Sequence, residues 1–186
     1  RLALAEEMKP HCSLERRRTE LLRHHNAAWL NIWSGISAYY YALLGESEKI
    51  PPIFGEHRLS DINMLAPGRP MMLLIENQVY LAQGAYAKVI GRSEGLLAAC
   101  AGLQYALVAL HLRIQTAAAY AMLGKTEEAQ ALLLQALQEA EPDEFLLPFV
   151  ENYRYIKKTL EKLPQTPLLA RIQRLGKASE QRQKQL

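Results

Sequence analysis

The chain has 186 residues, a formal net charge of +3, and 49% hydrophobic residues with only 3 Phe. That length buries a sizeable core, and the abundance of Leu and Ala without runs of alternating Val, Ile and Thr excludes a sheet protein. The most apolar stretch, 95–112, is interrupted by Gln104 and ends near His111, which excludes a membrane span and any membrane partner.

In chain order, 1–9 reads as a short helical piece stopped by Pro10, and Ser13 caps a basic helix through residue 25. Residues 26–44 carry Trp29, Trp33, Tyr40 and Tyr41 and form the first helix of a pair. Its partner is delayed by Pro51 and Pro52 and runs to about residue 57. After the turn Pro67-Gly68-Arg69-Pro70, residues 71–83 and 85–100 make a second pair. Residues 103–123 and 126–140 make a third, divided from the second near Ala101-Gly102. Thr126 caps its second helix, and Glu127 and Glu128 favour the positive helix end. A last helix, 144–162, tolerates Pro148 near its start. Pro164 and Pro167 then open a polar linker, so the domain is 1–163 and the tail 164–186.

Tyr41, Tyr80 and Tyr120 each stand four residues before a glycine, and Gly45, Gly84 and Gly124 are 39 and 40 residues apart. A fixed period of this length marks stacked helical hairpins, because one hairpin cannot bury its own apolar face. In the third copy Ala117, Tyr120, Gly124, Ala129, Leu133 and Ala136 match the offsets of a tetratricopeptide helix pair. The expected fold is therefore all-α, a right-handed tetratricopeptide-like superhelix of about four hairpins.

Charge is unevenly spread. Residues 126–151 hold seven acids and no Lys or Arg, whereas 154–186 hold nine bases against Glu161 and Glu180. No aromatic residue follows Tyr155 to stack on bases, so the basic tail reads as a solvated linker to another domain. Arg16, Arg17, Arg18 and Arg23 read as a solvated helix face. A chain beginning at Arg1 is expected to be cut from a longer protein. Cys12 and Cys100 lack a C-x-x-C pattern, as for reduced thiols in the cytoplasm.

Catalytic patterns fail on context. Gly124-Lys125-Thr126 resembles the end of a phosphate-binding loop, but Ala119 holds the place of the required glycine and a helix precedes it. His11, Cys12, His24 and His25 lack the second cysteine of a zinc site. With no nucleophile elbow, H-E-x-x-H or G-x-G-x-x-G, no enzyme, catalytic residue, metal or cofactor is expected.

The run Tyr120-Ala-Met-Leu-Gly-Lys-Thr-Glu-Glu-Ala129, followed by Leu132 to Pro142 and by Leu147-Pro-Phe-Val-Glu-Asn-Tyr153, resembles the superhelical domain of the MalT-like, LuxR-type bacterial transcriptional regulators. Tyr41-Ala-Leu-Leu-Gly-Glu-Ser-Glu-Lys-Ile-Pro51 and Gly68-Arg69-Pro70 are similar to that family's first repeat and connector. The similarity covers about 26–163. It implies a parent with an amino-terminal signalling ATPase, this sensing superhelix, and a carboxy-terminal helix-turn-helix. The implied partner is a small-molecule inducer or a regulatory protein, with DNA reached only through a domain absent from this chain and self-association open. Glu76 and Asn77 depart from the repeat pattern, and Asn77 is expected to make a core hydrogen bond. The other reading is a generic scaffold holding a peptide in its concave groove.

In such a superhelix the first helix of each pair lines the groove. Six residues before the repeat glycines lie Tyr39, Gln78 and Ala118, with Gly35, Leu74 and Ile114, then Ile32, Met71 and His111, one and two turns earlier. Tyr39, Met71, Gln78 and His111 are thus the candidate binding residues, with Arg69 supplying charge at the rim. An aromatic, a thioether, an amide and an imidazole on an apolar floor suit a modest ligand or a peptide.

Overall fold

The computed structural model describes Arg16, Thr19, residues 27–59 and residues 66–183. The helices expected over 1–9 and 13–25 lie outside this set, apart from Arg16 and Thr19, which are both helical. Among the described residues the fold is all-α, with nine α-helices and no strand. They are α1 (Ala27–Leu44), α2 (Pro52–Gly55), α3 (Arg69–Ala82), α4 (Tyr86–Leu103), α5 (Ala106–Met122), α6 (Thr126–Ala140), α7 (Leu147–Glu151), α8 (Tyr153–Leu160) and α9 (Pro167–Gln183).

The repeated Tyr-x-x-x-Gly is a helix stop. Gly45, Gly84 and Gly124 take φ of 79°, 74° and 76°. In each case the next residue donates its N–H to the tyrosine carbonyl: Glu46 to Tyr41 at 2.9 Å, Ala85 to Tyr80 at 2.8 Å, and Lys125 to Tyr120 at 3.0 Å. This left-handed closure satisfies carbonyls that the helix end would leave bare. Three further helix ends close identically without glycine. His57, Gln104 and Glu144 take φ of 58°, 56° and 51°, while Arg58, Tyr105 and Phe145 bond back to the carbonyls of Ile53, Cys100 and Ala140.

Most helices pack on the next in the chain, and α1, α3, α5, α6 and α7 also on the second one along. α3 meets α1, α4 and α5; α5 meets α4, α6 and α8; and α7 and α8 pack on α9. Small residues allow the close approach: Ala117, Ala118 and Ala119 of α5 and Ala129 and Ala136 of α6 are all fully buried.

Several boundaries depart from the sequence expectation. α2 is a single turn, started by Pro52 and anchored by fully buried Phe54. The division between α4 and α5 falls at Gln104 and Tyr105, not at Ala101-Gly102, because Gln104 adopts the left-handed stop. Thr126 is the first helical residue of α6 and makes no cap bond; Lys125 holds the cap position. The last expected helix is interrupted at Asn152, whose Nδ2 donates to the Pro148 carbonyl at 2.9 Å.

The largest correction concerns 164–186. Residues 167–183 form a helix, not a linker, and Leu168, Leu169, Ile172 and Gly176 are buried. The core therefore runs past the 1–163 boundary. Composition dominated by Arg, Lys and Gln hid a narrow apolar stripe that α7 and α8 cover. Gly176 is part of that seam, since a Cβ added there would overlap the ring of Tyr153, itself 2% exposed.

Three outcomes follow. Gly176→Ala should destabilise the chain by about 1 to 3 kcal/mol, because a fully packed ring has no room to retreat; an unchanged thermal midpoint would contradict the α8–α9 packing. Nothing lies within 4 Å of a Cβ at Gly124, so Gly124→Ala should cost only the left-handed strain, about 1 to 2 kcal/mol. Gln104→Gly should instead stabilise by a few tenths up to about 1 kcal/mol. Guanidinium unfolding of both variants checks the opposite signs.

Candidate functional site

α1, α3, α5 and the broken helix α7–α8 form a row in which each member packs on the next. The ends of this row also touch. Tyr39 of α1 donates its hydroxyl to Glu151 Oε2 of α7 at 2.7 Å, across 112 residues of sequence. Three residues on, Arg154 Nη2 donates to the Ala42 carbonyl at 3.1 Å, and its guanidinium lies over the Tyr155 ring, 4.5 Å from the centroid. The row thus bends until its first and last members are bonded across α3 and α5.

His111 of α5 joins this clasp, with Nδ1 3.8 Å from Glu151 Oε2. That distance is too long for a hydrogen bond, and Nδ1 has no other partner. Burial lowers the His111 pKa from 6.5 to about 4, so the imidazole is neutral near pH 7. Burial also raises the Glu151 pKa, partly opposed by the bond from Tyr39. The Tyr39 hydroxyl is held strongly in its protonated form, first by burial and then by the Glu151 charge. A donor that stays protonated beside a carboxylate makes a charge-assisted bond.

The other candidates fall elsewhere. Gln78 is fully buried, as are Ala118 and Ile114, and Leu74 is nearly so. Gln115 Nε2 donates to Gln78 Oε1 at 2.9 Å and to the Leu74 carbonyl at 3.1 Å. Gln78 Nε2 and Gln115 Oε1 are left without partners. Met71 and Arg69 are exposed at the start of α3 and take no part in the clasp. Asn77 does not make the expected core bond: it is fully buried and neither amide atom has a partner.

A second polar cluster pins the α2 turn to α3. Glu76 is 4% exposed and bonded to Arg92 of α4, with His57 Nδ1 3.5 Å away. The His57 ring stacks on Tyr80 with centroids 4.0 Å apart, and its Nε2 meets Gln83 Oε1 at 2.9 Å. Sequence reasoning flagged Glu76 but missed His57, Glu151 and Arg154. Only Glu151 stood in a quoted motif, and no local spacing reveals the partners of Glu151 and Arg154, which stand 112 residues away.

Among the described residues no group of three or more His, Cys, Asp or Glu is placed to hold a metal ion. Cys100 is buried, which raises its thiol pKa and keeps it protonated. Nor is any described helix long and apolar enough to cross a membrane. No protein-family model, curated protein or solved structure matches the chain.

The His111 shift has a signed consequence. As pH falls from about 6.5 to about 4 the unfolded chain binds this proton and the folded chain does not, so stability drops, by at most about 3 kcal/mol. Glu151 works in the opposite sense, since a raised folded pKa adds stability as pH falls through it. Denaturant unfolding from pH 7 to pH 4 should therefore show a shallower acid loss in His111→Gln than in the unsubstituted chain; parallel curves would contradict the burial of the imidazole.

Proposed function

We propose that this chain is a non-catalytic, tetratricopeptide-like sensing module of a LuxR-type bacterial transcriptional regulator. It works in the cytoplasm, and its effector acts on DNA through a separate helix-turn-helix domain. The observation that carries the reading is the Tyr39–Glu151 and Arg154–Ala42 clasp between the first and last members of the helix row. Sensing needs two states with different affinity for the effector. A row of helices joined at its ends by two polar bonds has such a pair, closed with the bonds made and open with them replaced by water or ligand. Each bond is of the size, about 1 to 3 kcal/mol, at which modest differential binding changes the populations. The fully buried Gln78 and Gln115 amides, each with an atom unpaired, support the same reading, since opening would hydrate them.

A peptide-binding scaffold is the second reading. It is favoured by Ile32 and Met71, which occupy equivalent positions of α1 and α3 and are both exposed.

The test uses the full-length gene product in a reporter strain. Tyr39→Phe and Glu151→Gln should each raise uninduced output or lower the effector concentration needed, with helicity unchanged by circular dichroism. An unaltered dose response in both would remove the clasp from sensing. The chain alone should show no preference for promoter over scrambled DNA in gel-shift titrations, because phosphate contacts from its basic residues carry no sequence information.

A further inference from the structure

We propose that a groove between α5, the end of α6 and the turn before α7 is a docking site for a basic amphipathic helix of a partner protein. It shares no residue with the clasp and stands independently of the sensing reading. The groove encloses about 330 Å³; Ala106, Leu107, Ala109 and Leu110 form its floor and Phe145 a wall. At the start of α5, Ala106 and Leu107 are exposed and Ala109 is half-buried, above a buried Leu110. Leu107 is 47% exposed, Phe145 39% and Leu147, just beyond the cavity, 62%. Apolar side chains left together in water mark an interaction surface. The exposed run to Leu147 outreaches the cavity, which fits a macromolecule better than a small ligand.

Charge selects the partner. Glu139, Glu141, Asp143 and Glu144 crowd the same end of the molecule. Arg113 at the groove pairs with Glu139, and Arg171 of α9 pairs with Glu144. Among the described residues Glu141 and Asp143 have no such cation, and Asp143 lines the groove itself. The rim therefore carries excess negative charge beside an apolar floor. A helix with two apolar side chains at i and i+3 or i+4, flanked by Lys or Arg, matches both features, the apolar pair entering the cavity and the cation meeting Asp143.

The test is selection from a displayed library of helical peptides on the immobilised full chain, counter-selected on the Leu107→Asp chain. Leu107 is nearly half exposed, and circular dichroism with a thermal melt shows whether the variant stays folded; Asp143→Lys, on the turn, is the second variant. The expected result is enrichment of peptides with the spaced apolar pair and neighbouring Lys or Arg. Leu107→Asp should weaken the best of them by at least about tenfold, and Asp143→Lys by several-fold with a smaller dependence on salt. No enrichment over the counter-selected chain would overturn the proposal, as would enrichment of acidic or uncharged peptides. So would light scattering that shows a dimer abolished by Leu107→Asp, since the occupant would then be a second copy of this chain.

Discussion

The structure depends on one backbone constraint: among the described residues, each helix from α1 to α6 is followed by a single residue in the left-handed conformation, which turns the chain toward the next helix. Six such residues occur among the described ones, and from Gly84 through Gln104 and Gly124 to Glu144 they fall every 20 residues. Each lets the following N–H reach back to the carbonyl five residues earlier, so the helix ends with its last carbonyls satisfied as the chain turns away from the helix axis. An equal interval keeps the helices nearly equal in length and returns every first helix to the same side. Stacking then follows, because each pair presents an apolar face that only the next pair covers. Glycine fills the closure after each first helix. The closures after second helices use Gln104, Glu144 and, after the stub α2, His57, side chains that accept left-handed strain of about 1 to 2 kcal/mol for the sake of the reversal.

Close packing sets the second level. The run Ala117, Ala118, Ala119 gives α5 a smooth surface on several sides at once, which a helix surrounded by α3, α4, α6 and α8 needs. Where the neighbouring repeat places Asn77 and Gln78 instead of alanines, the same burial strands amide groups. Gln78 recovers one bond from Gln115, and Asn77 recovers none. Unpaired buried amides cost about 1 to 3 kcal/mol each. The second repeat is accordingly the least satisfied part of the core, and its first helix stands in the row between α1 and α5.

The clasp converts a row into a ring of contacts. Nearest-neighbour packing alone would leave α1 free to move relative to α8. The Tyr39 hydroxyl and the Arg154 guanidinium remove that freedom with two directional bonds in a partly dehydrated setting, where a phenol keeps its proton and a neighbouring imidazole loses its own. Bonds of this kind are strong while water is excluded and weak once it enters. Rigidity of the whole row is thereby tied to a few atoms at its ends.

Sequence by itself determined the class and the rhythm. The Tyr-x-x-x-Gly spacing is local chemistry, since tyrosine, glycine and the stop they form lie within one turn of helix. It therefore located the ends of α1, α3 and α5 to within one residue. The start of α6 was legible for the same reason, since Gly124 stands two residues before it. Tertiary structure decided the rest. Gln104 and Glu144 carry no propensity for a left-handed stop and adopt it because the packed helices on either side leave no other path. The stripe of Leu168, Leu169 and Ile172 became core only because α7 and α8 cover it, and α8 could take its seat only because Gly176 leaves space for Tyr153. For the candidate site, periodicity selected Tyr39 and His111 as residues of one face but gave no hint of Glu151 and Arg154, which stand 112 residues from their partners. Periodicity also set Gln78 on that face without showing that it is covered. A repeat fixes which way a side chain points from its own helix; how far the row bends, and so what meets it there, is a sum over all the helix contacts.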